Sequence, residues 1–443
     1  MRTDARPSTR SVAEGVRPLL TSLLGPDPTV PFRFWDGSRL GPETADACVV
    51  VRSPRALRRL LYAPGELGVA RAYVAGELDI EGDVFAALRL KDLLERRPDG
   101  RSGLALGLDG LRSAWQAARE VGALGAPLPP PAEEARLHGR FRSSRRDAAA
   151  VSHHYDVSDD FYRLVLGESM TYSCALFADE DTDLDDAQRA KYDLICRKLG
   201  LGPGMRLLDV GCGWGGMLLH AAANYGVRAV GVTLSRPQRE LAAQRVAAAG
   251  LADRVEVRLQ DYRQVADGPF DAISSIGMFE HVGEAGMAEY FGRLLGLLRA
   301  TGRLLNHAIS RPPGSAAMPR DSFVQRYVFP DSQLVEVGSV VSAMQVHGFE
   351  VRDVEAMREH YARTLRHWVA RLESHWDQAV ALVGAPRARI WRLYMAGCCL
   401  NFEEGRLGVN QVLGVKLGGG GASGMPATRA VWYQAPAPAE RSG

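Results

Sequence analysis

No stretch of this chain reaches the roughly 18 uninterrupted apolar residues that a bilayer-spanning helix needs, so any membrane contact is expected to be peripheral. Charge of one sign is not in excess either. Lys and Arg number 54 against 52 Asp and Glu, a net charge of +2, whereas a dedicated nucleic-acid binder carries a marked basic surplus. Cysteine is sparse: Cys48, Cys174, Cys196, Cys212, Cys398 and Cys399 include no C-x-x-C pair. That excludes a disulfide scaffold in so long a chain and fits a reducing, cytoplasmic compartment. No His, Cys and carboxylate cluster has zinc spacing, so no metal is expected. The N-terminal MRTDARPSTRSVAEGVRPLL lacks the continuous apolar run of a signal peptide. What is present is globular material: 443 residues, 46% hydrophobic and 24% charged, enough for two or three domains at roughly 150 residues each.

Residues 1–124 carry short mixed elements: a strand over 46–52, then helices over 55–62, 67–75 and 84–97, with Ser53 as the N-cap of the first. A linker over 125–150 follows. It holds Pro127, Pro129, Pro130 and Pro131, which continue neither helix nor ladder, and then Arg136, Arg140, Arg142, Arg145 and Arg146. Over 151–416 strands and helices alternate. Strands are expected at 206–210, 228–232, 254–259, 270–276 and 303–309, with helices at 217–225, 237–249 and 287–299. The alternation predicts an α/β fold with a doubly wound, Rossmann-like parallel sheet, preceded by a smaller, mixed and largely helical N-terminal domain. Residues 417–443, with GGGGASG and APAPAERSG, are expected to form a flexible tail.

The sharpest local signal is LLDVGCGWGG, where a strand runs into a glycine turn that opens a helix. Glycines let a cofactor approach the backbone. The spacing G-x-G-x-G at Gly211, Gly213 and Gly215 differs from the dinucleotide G-x-G-x-x-G. Asp209 ends the strand, where a carboxylate receives an ammonium. The second strand ends near Thr233 and Gln238, suited to ribose and amino-acid groups, with no acid for an NAD ribose. The third ends at Asp261-Tyr262, an acid and a ring face for adenine. Together these favour S-adenosylmethionine.

The motifs HYDVSDDFY, TYSCALF, LLDVGCGWGG, GVTLSRPQ, GMFEHVG and FVQRYVFP occur in that order between Val151 and Lys416. On them the chain resembles the cyclopropane-fatty-acyl-phospholipid synthases and their mycolic-acid relatives. The resemblance implies a class I methyltransferase that moves the methyl carbon of S-adenosylmethionine onto a cis double bond of an unsaturated phospholipid acyl chain. It implies bound bicarbonate as base, held by Cys174, Glu280, His307, the Ile309 amide and Tyr361, and it adds Tyr172 and Ser173 to the cofactor residues. It also implies a lipid- or membrane-associated N-terminal domain and a protein peripheral to the inner face of the membrane. The basic linker is a candidate for anionic headgroups.

An isolated alkene is a weak nucleophile, so the electrophile must be strong, and the cation that forms needs negative charge or aromatic faces set in advance. Proton loss from the new methyl closes a cyclopropane. Loss from the chain gives a methylene branch instead, and with it a reductase partner. A lipid-binding protein without catalysis is the alternative of another class. Taken singly, His307 reads as a core histidine, Cys174 as a small buried hydrophobe, Glu280 as a helix-start acid and Tyr361 as a packed aromatic. Glu280 beside an anion fits if bicarbonate donates its own O–H to the carboxylate. Met278, Phe279, residues 323–329 and Trp368 are candidates for an acyl tunnel. A homodimer, with two membrane contacts, is compatible with all of this.

Overall fold

The computed structural model describes residues 10–25, 28–90, 108–135, 158–316 and 318–433. The chain forms two units, each assembled from separate stretches. The smaller takes Met1–Arg136, Pro319–Val328 and Trp376–Gly397; the larger takes Leu137–Met318, Phe329–His375 and Cys398–Gly443. The division expected from composition, with a boundary at 124 and one uninterrupted catalytic domain, is therefore too simple.

The smaller unit holds a four-stranded sheet of β1 (Phe32–Phe34), β2 (Arg39–Leu40), β3 (Ala47–Val51) and β4 (Leu78–Gly82) in the order β2-β1-β3-β4. Ser53 caps the helix Pro54–Tyr62 by accepting from Arg55 N–H, as its position predicts. Glu66–Val74 forms the second expected helix. The third is Val84–Leu88, shorter than expected, and 91–97 lie outside the described residues. The proline-rich segment forms neither helix nor strand but is held: Arg58 reaches the carbonyls of Ala123 and Leu124, and Arg59 that of Pro129 at 2.9 Å. Arg59 is in turn buried against Glu77 at 2.6 Å. The basic residues Arg136 to Arg146, and the HYDV part of the first motif, lie outside the described residues.

The larger unit is built on β5 (Arg206–Val210), β6 (Arg228–Thr233), β7 (Val255–Leu259), β8 (Phe270–Ile276), β9 (Leu298–Ser310), β10 (Phe349–Ala356) and β11 (Gly408–Lys416). Their order is β10-β11-β9-β8-β5-β6-β7. Side chains alternate across a strand, and Leu207 and Leu208, both wholly buried, enter cores on opposite faces of the sheet. Helices therefore cover both faces, which is why β5 places apolar side chains, Leu207 and Leu208, on both. The sheet is mixed, not parallel as expected: β11 runs antiparallel to both β9 and β10. Its Asn410, Gln411 and glycines disguise a strand whose residues Gln411 to Val415 are all buried. The segment after Lys416 also departs from expectation. Trp432 is buried in the core with Leu194 and Leu218, while 434–443 lie outside the described residues.

Candidate active site

β5 delivers the chain into a turn of positive-φ glycines, with φ of 79° at Gly211, 53° at Gly213 and 81° at Gly215. A Cβ on Gly211 would sit 2.8 Å from the Met278 side chain. Gly211 N–H and Cys212 N–H both donate to Val232 O, at 2.9 and 3.1 Å, which ties the turn to the end of β6. The helix Gly216–Tyr225 starts directly behind. Around this turn opens a cavity of about 270 Å³. Every cofactor residue expected from the sequence lines it except Gly215, which packs toward Ala242 instead.

The polar groups of the cavity are held by one another. Asp209 is buried, accepts from Ser274 Oγ at 2.7 Å, and is pushed up to about 6 by burial. Thr233 Oγ1 donates to Gln238 Oε1 at 2.9 Å and accepts from Ser235 N–H at 3.1 Å. Asp261 is clamped by Arg263, whose Nε lies 2.9 and 3.0 Å from its two oxygens. Asp159 and Asp160 open the helix Asp159–Leu166, and Asp159 accepts from the Trp214 indole at 3.1 Å.

Cys174, Glu280, His307, Ile309 and Tyr361 do not line this cavity. Cys174 follows the lining residue Ser173 and is wholly buried. Burial pushes its thiol far up, so it is a neutral S–H donor, turned to Ala175 O at 3.2 Å and Met357 O at 3.6 Å. Met357 O also accepts from Tyr361 N–H at 3.1 Å. Glu280 lies between the lining residues Met278 and His281. Its Oε1 accepts from Ile309 N–H at 2.7 Å, so that amide is committed to the carboxylate. Its Oε2 is buried with no partner, and burial raises the group to about 7. His307 O accepts from Gly277 N–H at the cavity wall, at 2.9 Å. Its Nδ1 meets Gln411 Nε2 at 3.3 Å, and burial pulls the ring down to about 3. An amide nitrogen only donates, so Nδ1 accepts and the proton of the neutral ring sits on Nε2. That Nε2 is also buried without a partner. A buried polar atom left unpaired costs about 1–3 kcal/mol, and here one donor and one acceptor share that state. They suit a small anion carrying one O–H, such as bicarbonate.

Tyr361 packs at a tilt on Phe402 with ring centroids 4.7 Å apart and stands edge-on to Trp368 at 6.1 Å; Tyr172 lies 5.3 Å from Trp368. Of the acyl-tunnel candidates, Met278 lines the cavity. Phe279 does not; it packs against Tyr290 and Phe291 in the core. Trp368 is wholly buried in the aromatic row, and residues 323–328 belong to the smaller unit.

Sequence signals are weak for several residues that shape the site: Ser274 under Asp209, Gln411 under His307, His281 in the wall, and Lys191. Lys191 had one available. It falls on the helix Leu184–Leu199 at the spacing of Ala187, Leu194 and Ile195, an apolar face on which a lysine is out of place.

The loop bearing Cys174 is fastened to the helix Arg358–Ser374. Ala175 N–H donates to Thr364 Oγ1 at 3.0 Å, and Phe177 N–H donates to His360 Nδ1 at 3.2 Å. A protonated imidazole cannot accept that bond. Burial lowers His360 against the pull of Glu355 and Glu359, with Arg363 adding to the lowering. A lowered histidine makes the folded state bind fewer protons than the unfolded one, so stability is lost as pH falls below 6.5. His360→Asn, which keeps an acceptor but does not titrate, should flatten the stability curve on the acid side. Denaturant unfolding from about pH 7 to about pH 5 tests this; an unchanged slope would refute it.

Seven mixed strands with helices on both faces and a glycine turn at the end of β5 define a class I S-adenosylmethionine-dependent methyltransferase. The family model of mycolic acid cyclopropane synthetase matches residues 142–412, and the chain belongs to that family. Over 417 residues it is 44% identical to a probable fatty acid methyltransferase of Mycobacterium tuberculosis, covering 91% of this chain and 94% of that one. It is 40% identical to a probable fatty acid methyltransferase of Pseudomonas putida, covering 94% and 98%. Among solved structures it is similar to a mycolic acid cyclopropane synthase complexed with S-adenosylhomocysteine and CTAB. The TM-score is 0.57 at 38% identity, over 61% of this chain and 98% of that one. The protein is thus a lipid-modifying methyltransferase of the cyclopropane synthase family. Among the described residues no helix is long and apolar enough to cross a membrane.

Proposed function

We propose that this enzyme adds the methyl carbon of S-adenosylmethionine across a cis double bond of an unsaturated phospholipid acyl chain and closes a cyclopropane, with bicarbonate as base. The carrying observation is the pair of buried, unpartnered atoms Glu280 Oε2 and His307 Nε2, on residues that adjoin the cavity lining: Glu280 between Met278 and His281, and His307 bonded through its carbonyl to Gly277. S-adenosylmethionine supplies an electrophilic methyl on sulfur; bicarbonate would supply the base that takes up the proton. The chain's own residues do the rest. Asp209, Thr233, Gln238 and Asp261 bind and orient the cofactor. His307 donates from Nε2 to the anion, and Glu280 accepts its O–H at Oε2, while Ile309 N–H holds the carboxylate still. The rings of Tyr172, Trp368 and Tyr361 offer π-faces to a developing cation. Cys174, held neutral and turned to backbone carbonyls, adds no competing negative charge.

A second reading has a specific support: the two relatives matched nearly end to end are named probable fatty acid methyltransferases. Loss of the chain proton would then leave a methylene branch for a reductase to complete. Incubating the enzyme with labelled S-adenosylmethionine and unsaturated phospholipid should place one added CH2 on the acyl chain by mass spectrometry. NMR then separates ring from branch. Lipid binding without any labelled product would overturn both readings.

A further inference from the structure

Lys191 has no exposed surface, yet it has no carboxylate partner among the described residues. Its Nζ donates to Ser173 Oγ at 2.8 Å and lies 4.0 Å from the centroid of the Tyr192 ring. The titratable groups felt around it are Cys174 on the adjoining loop, Asp209 at the end of β5, His307 on β9 and His220 on the helix Gly216–Tyr225. Burial holds Cys174, His307 and Lys191 all toward their neutral forms, Lys191 at about 7. Asp209, the one carboxylate in reach, is itself weakened by burial and is bonded to Ser274. Burying a lysine with so little compensation is costly.

The cavity supplies the missing partner. An amino-acid cofactor brings a carboxylate as well as an ammonium. Of the Lys and Arg among the described residues, only Arg263 lines the cavity, and it is clamped on Asp261. The next cation is Lys191, one hydroxyl behind the wall. The same helix grips Ser173 twice: Gln188 Nε2 donates to its carbonyl at 2.9 Å, and Lys191 to its hydroxyl. A hydroxyl has one proton and two lone pairs. With the ammonium on its oxygen, the Ser173 proton is left to point into the cavity as a polarised donor.

We propose that Lys191 is a positioning residue for the carboxylate of the cofactor's amino-acid part, acting through Ser173: it fixes the Ser173 hydroxyl as a donor and places a positive charge behind it. This rests on the reading of the cavity as the S-adenosylmethionine site. The chain of contacts is ammonium, hydroxyl, carboxylate, with Asp209 left for the cofactor's own ammonium.

The test is calorimetric binding to the full chain of two probes, S-adenosylhomocysteine and its decarboxylated analogue. Lys191→Met should weaken S-adenosylhomocysteine about 10- to 100-fold, the scale of a charge-assisted hydrogen bond, and leave the analogue's affinity unchanged. Equal weakening of both probes would mean a structural role and overturn the proposal. In a Ser173→Ala background Lys191→Met should cost little more; full additivity would also overturn it. Wild-type affinity for S-adenosylhomocysteine should fall as pH rises from about 7 to about 9, while that for the analogue lacks this fall. Matching profiles for the two probes overturn the proposal even if Lys191→Met fails to fold. A wild-type chain that binds neither probe would instead sink the cofactor reading beneath it.

Discussion

Glu280→Gln should cut turnover roughly 10²- to 10⁴-fold, the range lost with a group that handles a proton in the transition state, and leave S-adenosylhomocysteine affinity intact. Glutamine keeps the shape and the oxygen that accepts Ile309 N–H at 2.7 Å. It puts an amide donor where the unpartnered Oε2 now waits for one. The same change should make the protein more stable at neutral pH. A carboxyl whose folded value is raised from 4.5 to about 7 binds more protons folded than unfolded, so it costs stability as pH rises through that window, by roughly a few kcal/mol. Glutamine has no such penalty. Single-turnover rates with unsaturated phospholipid and urea unfolding at about pH 5 and about pH 8 read both effects. Full turnover in the variant would remove Glu280 from the chemistry, and an unchanged stability profile would remove the burial argument.

Gly211→Ala should destroy cofactor binding and destabilise the fold by about 2–5 kcal/mol. Two costs add. An L-residue in the left-handed region loses about 1–2 kcal/mol. Overpacking against the Met278 side chain, 2.8 Å from the new Cβ, adds about 1–3 kcal/mol. Gly213→Ala is the control. Its φ is positive too, but no atom lies within 4 Å of the added carbon, so only the backbone cost applies. Unfolding and S-adenosylhomocysteine titration of the two variants check the ordering. Equal losses would show that Met278 yields and that the close approach does not matter.

The parts of the fold legible in the sequence are those whose local signal agrees with their environment. β5 and β8 are buried on both faces, β5 with a Leu-Leu pair and β8 with Phe270, Ala272 and Ile273, and the glycines after β5 mark a turn that positive φ permits. β10 and β11 carry no such local signal. Arg352, Asp353 and Glu355 make β10 look like surface, and Asp353 is buried against cations from other elements, Lys198 at 2.8 Å and Arg429 at 3.1 Å. The helix expected over 287–299 stops at Leu297 because β9 begins at Leu298, five residues before its apolar run. At the site, motif spacing picks out the cavity lining well. It says nothing of Lys191, Ser274 or Gln411, whose importance lies in what they touch across long stretches of chain.

The discontinuity of the two units bears on any attempt to sever them. A fragment starting after residue 136 would still carry Tyr327, Arg389 and Arg392. It would lack Glu134, which Tyr327 contacts at 3.2 Å, and Tyr73 and Asp79, to which the arginines bond. A single nick between the halves would thus orphan guanidinium groups rather than release a tidy catalytic piece; a cleanly excised methyltransferase would need five cuts and two grafts.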